Sequence, residues 1–501
     1  MQRDNYRASL FVGLGFLAAT LTGFMRQVFI ARFLGASRVA DIYLVAFAVP
    51  EFFFIALPII ISPAFLPIFT KIRQEEGEAK AWLFAKRVFL ILGVALFLLT
   101  ILAALLTPFF LKWLSPGFSA AEQEQAISLF YPMLPGILFM GLATLLATIL
   151  LVYRRFFRSV IITSVYNLVF IISLGFLPIS QVELRASWAV TIGAGAALLC
   201  LLPFWWTQTH THVISTTSEL KAQIIQWGYF TSQLIVGYGV HHAIIFIDRA
   251  MATSLGTGGV AALSYSNQLT QVIITLSGLA ISTALFPSLA EQVAGGDFQT
   301  AGKELTGALI LVFKIALPAC AGLVLLRTPI VQVLFEHGAF DAQATSLVSA
   351  PIVWYSLAAL ADSLCQPLWR IVYINRSGWM VVGINGVQTT IRVILNLLLT
   401  PWLGYIGLAV SAAVGLAVQV VVLAWWTRST YGFKLSIQNR REITRTILAA
   451  FLALSVSFLL YNATKSISSI LIILICSITG ALVYFLSLYL SHNFRRSFYG
   501  S

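Results

Sequence analysis

Apolar runs of about 18 residues or more, separated by short polar stretches, recur from one end of this 501-residue chain to the other. A helical run of that length, rising 1.5 Å per residue, matches the ~30 Å hydrocarbon core of a bilayer. Lipid offers the backbone no hydrogen bonds, so each run must satisfy its own amides, which an α-helix does within one segment. A soluble alternative fails on surface chemistry. Only 10% of the residues are charged and 59% are hydrophobic, against roughly 25% charged in ordinary globular chains. The mean hydropathy is +0.91. An all-α polytopic membrane protein is expected.

Apolar runs between polar punctuation place about fourteen transmembrane helices. They lie near residues 8–30, 40–69, 86–113, 127–152, 159–179, 186–206, 227–250, 259–290, 305–327, 346–370, 379–400, 404–427, 446–462 and 467–491. Polar stretches at 207–226 and 428–445 divide the chain into an N-lobe (1–206), a C-lobe (227–427) and a final helix pair with a basic C-terminus (446–501). The run after Met1-Gln2-Arg3 reads as a first transmembrane helix rather than a cleaved signal.

The two lobes look like copies. Ile61-Ser62-Pro63-Ala64-Phe65-Leu66-Pro67 recurs as Ile281-Ser282-Thr283-Ala284-Leu285-Phe286-Pro287, Thr107-Pro108 as Thr328-Pro329, Gly117-Phe118 as Gly338-Ala339-Phe340, and Tyr153 as Tyr373. The offsets all fall between 220 and 222. Six helices repeated in one orientation are the plan of transporters whose substrate site lies between two lobes.

Charge sets the expected topology. Lys+Arg number 31 against 18 Asp+Glu, an excess that on a soluble chain would suggest nucleic acid. Here 21 of the 31 fall in the termini and in the segments after even-numbered helices, and 8 fall on the opposite side. Both termini are therefore expected in the cytoplasm of a bacterial inner membrane protein, with no nucleic-acid partner. Cys200, Cys320, Cys365 and Cys476 lie in apolar stretches without CxxC spacing and read as buried small hydrophobes rather than disulfides or metal ligands. No phosphate-binding loop, GxSxG or HExxH occurs, so a transporter rather than an enzyme is expected, with no cofactor.

Ionisable residues inside apolar helices are costly, which makes them the candidates for function. Arg26, Arg32, Arg38, Asp41 and Glu51 form a first group. The two acids are ten residues apart, close to three helical turns, so both can face one cavity and line it for an anionic, proton-coupled substrate. Alternatively, Arg32 and Arg38 flank helix ends and snorkel. His241, His242, Asp248 and Arg249 form a second group, in which His241 and Asp248 share a face and could relay a proton. The competing arrangement is a local Asp248–Arg249 pair. Arg392 stands mid-span near Asn385 and Asn396, either lining a cavity or pairing with Asp362 or helix carbonyls, and Lys314 has a weaker claim. The many aromatic residues read mostly as lipid-facing surface and interfacial belts.

These residues also carry a resemblance. Leu21-Thr22-Gly23-Phe24-Met25-Arg26, Ile30-Ala31-Arg32-Phe33-Leu34-Gly35-Ala36, Ala40-Asp41 and Ala46-Phe47-Ala48-Val49-Pro50 resemble the opening of the MurJ (MviN) lipid II flippases. Ala64-Phe65-Leu66-Pro67, Ser115-Pro116-Gly117-Phe118, Leu285-Phe286-Pro287-Ser288-Leu289 and Leu334-Phe335-Glu336-His337-Gly338 continue it colinearly over roughly residues 8–430. The resemblance implies the fold of the multidrug/oligosaccharidyl-lipid/polysaccharide exporter superfamily, a polyprenyl-diphosphate glycan as substrate, and a lipid-tail groove at the final helix pair. It puts Arg26, Arg32 and Asp41 on family positions for charged cavity residues. The chain departs from the family pattern at Thr20, Gln27, Glu51 and Asn267-Gln268, where charged or basic residues are usual.

The expected function is movement of a lipid-linked saccharide, lipid II or a related envelope polysaccharide precursor, from the cytoplasmic to the outer leaflet by alternating access. Arg26, Arg32, Asp41, Glu51, Arg249 and Arg392 would contact substrate, and Asp41, His241 and Asp248 would couple ions. Envelope-synthesis or division proteins are the expected partners besides the bilayer. Two alternatives stand beside this: a cation-coupled small-molecule exporter of the same superfamily, and a non-transporting scaffold for envelope assembly.

Overall fold

The computed structural model describes residues 2–153, 155–208, 217–374, 378–431, 436–464 and 467–498. These fold into helices with no β-strand among the described residues. In chain order they are α1 (Gln2–Leu34), α2 (Arg38–Glu75), α3 (Glu78–Leu114), α4 (Ala120–Phe130), α5 (Leu134–Val152), α6 (Phe156–Phe176), α7 (Val182–Gln208) and α8 (Thr217–Thr253). Then follow α9 (Gly259–Ile274), α10 (Ala280–Ala294), α11 (Phe298–Leu325), α12 (Arg327–Phe335), α13 (Ala342–Ile374), α14 (Gly378–Leu403), α15 (Tyr405–Tyr431), α16 (Ile437–Ala463) and α17 (Ser469–Phe498). Each expected transmembrane stretch coincides, to within about three residues at its ends, with one of these helices or a nearly continuous pair. Eleven are long and apolar enough to cross a membrane among the described residues.

The polar stretches are shorter than expected. Residues 217–226 already belong to α8, and 437–445 to α16, because Ser436 caps the helix by accepting from Asn439 N at 3.1 Å. A short polar run with a good cap extends a helix rather than ending it. A capping box of Ser119 and Glu122 likewise starts α4 upstream of the expected span.

The chain divides into two compact units, Met1–Val260 and Ala261–Ser501. Within the first, α2, α3, α5 and α7 enclose a core in which Phe65 stacks on Phe69 and Phe84 at 5.2 and 5.5 Å. Four prolines interrupt α2, and beside Pro63 the Ser62 hydroxyl bonds Thr148 of α5 at 2.7 Å. Such hydroxyl pairs hold helices together where hydrophobicity gives no drive.

In the second unit, α10, α11, α13 and α15 share a core around Leu289, Leu305, Cys365, Leu368 and Leu423. The α16–α17 pair packs through Ala449, Ala450, Ala453 and Tyr484, small residues that permit close approach. It is pinned to α11 twice. The Tyr484 hydroxyl donates to the Lys314 carbonyl, and Lys314 Nζ bonds Glu442, both at 2.7 Å.

Two expectations are corrected here. Cys200 is exposed, while Cys320, Cys365 and Cys476 are buried; α7 turns the face carrying Leu199 and Cys200 away from the core. The aromatic residues divide between surface and core: Phe109, Phe176, Trp402 and Trp425 are exposed, as expected, but many others are not. Trp82, Tyr43, Tyr265, Phe65, Phe69, Phe84, Phe170, Phe335 and Phe340 are among the largest fully buried side chains. Flat rings fill the space between tilted helices and stack at favourable distances.

Candidate functional site

Arg26 sits on α1 with its guanidinium over three rings: Phe47 of α2 at 5.7 Å, and Tyr166 and Phe170 of α6 at 5.3 and 5.7 Å. Gly23, one turn earlier, faces α6, and a Cβ there would lie 3.4 Å from Asn167 Nδ2. Asn167 in turn donates to Thr22 Oγ1 at 3.3 Å. Arg26 Nε, Gln27 Oε1 and the Tyr166 hydroxyl are buried without hydrogen-bond partners. The cation is held by ring quadrupoles, each worth about 0.5–1 kcal/mol or more when desolvated, and no carboxylate among the described residues pairs with it. Its charge is therefore available to an anion.

Arg249 of α8 does not pair with Asp248. Neighbours on a helix point about 100° apart, and the guanidinium crosses to α2, where it bonds Glu51 and the Leu44 carbonyl. Arg249 is nearly buried, with 12% of its side chain exposed against 30% for Glu51. Glu51 thus carries the counter-charge to Arg249, and the two together add no net charge. Around them, Phe52 packs on Tyr238 and Phe246, each at 5.4 Å, and the Tyr238 ring stacks on His242 at 3.8 Å. The His241 side chain lies outside the described residues. Asp248 is half-buried.

A second polar cluster gathers one end of the first unit. Asp41 is fully buried, and its Oδ2 accepts the Gly258 amide at 2.6 Å. Arg38, for which the sequence left open a cavity-lining or a flanking position, bonds Glu122 Oε1 at 2.7 Å, the Gly117 carbonyl at 2.9 Å and the Thr253 carbonyl at 3.4 Å. It also covers the Phe118 ring at 4.5 Å. These bonds tie the start of α2, the loop before α4 and the end of α8. Arg32 is exposed. The clasp closes because position 117 has no side chain: a Cβ there would fall 2.3 Å from the Thr253 carbonyl oxygen and 2.4 Å from Ser254 backbone atoms. Gly117→Ala is expected to force the loop off α8, sharply lowering the yield of monodisperse protein in detergent size-exclusion runs, while Gly175→Ala, facing open space, should leave it unchanged.

In the second unit Arg392 is half-buried on α14, and its Cβ lies beside Gly415 of α15. One turn away, Gln419 bonds Asn385 at 3.0 Å. No ion pair among the described residues joins Arg392 to Asp362, whose carboxylate accepts a hydrogen bond from Gln366 on the same helix. No group of three or more His, Cys, Asp or Glu residues that could hold a metal occurs among the described residues.

Sequence reasoning singled out the ionisable residues but missed the rings that hold Arg26 and the partners of Arg38. The capping pattern Ser119-x-x-Glu122 is a local signal that could have marked Glu122, though as a helix start and not as the partner of Arg38.

A family model described as Lipid II flippase MurJ matches residues 30–490. The chain belongs to the MurJ family. Among its MurJ relatives, a probable lipid II flippase of Rhizobium meliloti is 27% identical over 470 residues, covering 91% of this chain and 87% of the relative. The lipid II flippase of Burkholderia cenocepacia is 25% identical, covering 83% of each. A solved lipid II flippase MurJ in an inward closed conformation superposes with a TM-score of 0.81 at 19% identity over 97% of this chain and 99% of that one. An inward-facing multidrug transporter of the MOP superfamily follows at 0.68 and 16%, over 83% of this chain and 94% of that one. Arg32, Asp41, Glu51, Arg249 and Arg392 lie within the stretch the MurJ family model matches, and Arg26 lies four residues ahead of it. The chain is a multi-pass membrane protein of MurJ fold.

Proposed function

We propose that this protein is a flippase carrying lipid II, a polyprenyl-diphosphate-linked saccharide, from the cytoplasmic to the outer leaflet of a bacterial inner membrane by alternating access. Membership of the MurJ family over residues 30–490 carries this reading. Arg26 supports it chemically. A guanidinium gripped by rings, with no carboxylate to neutralise it, is pre-organised to donate charge-assisted hydrogen bonds to a diphosphate. Arg249 is a weaker substrate contact because Glu51 already holds it.

The lobes 1–206 and 227–427 with the pair 446–501, and a cytoplasmic position for both termini, belong to the same proposal. Complementation of a strain depleted of its own lipid II flippase is the test. Growth supports lipid II as cargo, and failure at normal expression rejects it.

The proposed topology has its own expected outcome. In a variant lacking the four native cysteines, single cysteines at the exposed positions Ala121 and Asn462 should react with an impermeant thiol reagent added outside cells, and those at Gln74 and Gln438 should not. The reverse pattern would overturn the charge argument.

A further inference from the structure

Helix α13 carries one carboxylate in its interior, Asp362, about twelve residues or roughly 18 Å of helix before its end. It is half-buried, accepts from Gln366 Nε2 at 3.0 Å, and has no ion-pair partner among the described residues. Beside it, two packed helices both leave their regular ladder. Pro367 has no N–H, so the Ser363 carbonyl loses its i+4 donor. Opposite, Thr275–Leu279 winds as a single π-turn between α9 and α10, an irregularity frequent at functional sites.

The two defects interlock. A Cβ on Gly278 would fall 2.7 Å from the Ser363 Cα and carbonyl oxygen and 3.0 Å from Gln366 Cγ, and the Ser277 hydroxyl lies 3.1 Å from that of Ser363. Among the described residues, the elements around α13 supply no ion-pair partner for Asp362. Between Gly259 and Leu289 the ionisable side chain is Tyr265, which packs on Phe335 and Phe340. On α11, Lys314 is bonded to Glu442, and Cys320 is buried beside Ala359. Arg327 of α12 donates to the Val324 carbonyl, and Tyr405 of α15 donates to Leu347. Among the described residues Arg392 of α14 makes no ion pair with Asp362. Along α13 itself, Cys365 is buried and Arg370 bonds Thr283.

We propose that Asp362 binds and releases a proton during transport, and that its charge state sets how α13 packs against the π-turn. A bare carboxylate at this depth is costly and a neutral carboxyl is not. The Gln366 amide serves both forms, donating N–H to the carboxylate or, turned over, accepting the acid O–H. Asp362 takes one proton from the side of higher proton activity and returns it to the other; its O–H forms and breaks, and the Gln366 amide turns over to follow it. Asp41, by contrast, is committed to the Gly258 amide.

This inference rests on the flippase reading, and the experiment separates the two. Full-length protein in proteoliposomes is given fluorescent lipid II, and its appearance in the acceptor leaflet is timed with and without an imposed pH gradient. Wild-type flipping that responds to the gradient is expected. In Asp362→Asn the ratio of rates with and without the gradient should fall to about 1, while Asp362→Glu keeps a response. No flipping by wild type rejects the flippase reading itself. Flipping by wild type that ignores the gradient, or an Asp362→Asn protein that responds fully, overturns the proton role. Should Asp362→Asn fail to fold, Asp362→Glu decides alone, since loss of its gradient response at wild-type basal rate also overturns the proposal.

Discussion

Arg26→Ala is expected to abolish transport while leaving protein abundance and monodispersity close to wild type. Each charge-assisted hydrogen bond to a diphosphate oxygen is worth about 1.5–3 kcal/mol, so losing one costs roughly ten- to a hundredfold in affinity. The three rings around Arg26 stabilise the cation without depending on it for their own packing, because Phe47, Tyr166 and Phe170 also contact other helix residues and rings. Arg26→Lys should recover only part of the activity, since an ammonium keeps the charge but loses the planar fork and its stacking. The measurement is complementation together with detergent size-exclusion of each variant. A fully active Arg26→Ala would reduce the residue to a packing role between α1, α2 and α6.

Glu51→Gln should destabilise the first unit more than any other single loss of charge there. It leaves the Arg249 guanidinium nearly buried, with only the Leu44 carbonyl as acceptor among the bonds described. Removing one partner of a buried pair costs about 3–5 kcal/mol, and partial exposure of Glu51 places the expectation near the bottom of that range. The double variant Glu51→Gln, Arg249→Gln removes both charges and should regain much of the loss, because two neutral amides can satisfy each other. Thermal unfolding followed by tryptophan fluorescence reads out the cycle. Additive single effects would show that the α2–α8 pair contributes nothing through its charges.

Much of this protein was legible before any coordinates. Hydropathy and length determined that the chain is a polytopic helical bundle, because lipid leaves an apolar 18-residue run no other way to satisfy its backbone. The opening motif around Arg26 and Arg32 pointed to the MurJ family, and residues 30–490 belong to it. Helix ends were less legible. Ser436 starts a helix inside the polar stretch 428–445, and Ser119 starts one ahead of the expected span 127–152, since a capping side chain outweighs local hydropathy at a terminus.

Partnerships were the part the sequence could not hold. Spacing put Asp41 and Glu51 on one face of α2, yet one binds a backbone amide more than two hundred residues away and the other a guanidinium on α8. Arg38 could have lined a cavity or flanked a helix end, and instead gathers Glu122, Gly117 and Thr253. The aromatic residues looked lipid-facing, and their placement around Arg26 makes a cation receptor of a core. Helical periodicity reports which residues share a face. Which helix that face meets depends on packing among segments far apart in sequence, and only the tertiary structure decides it.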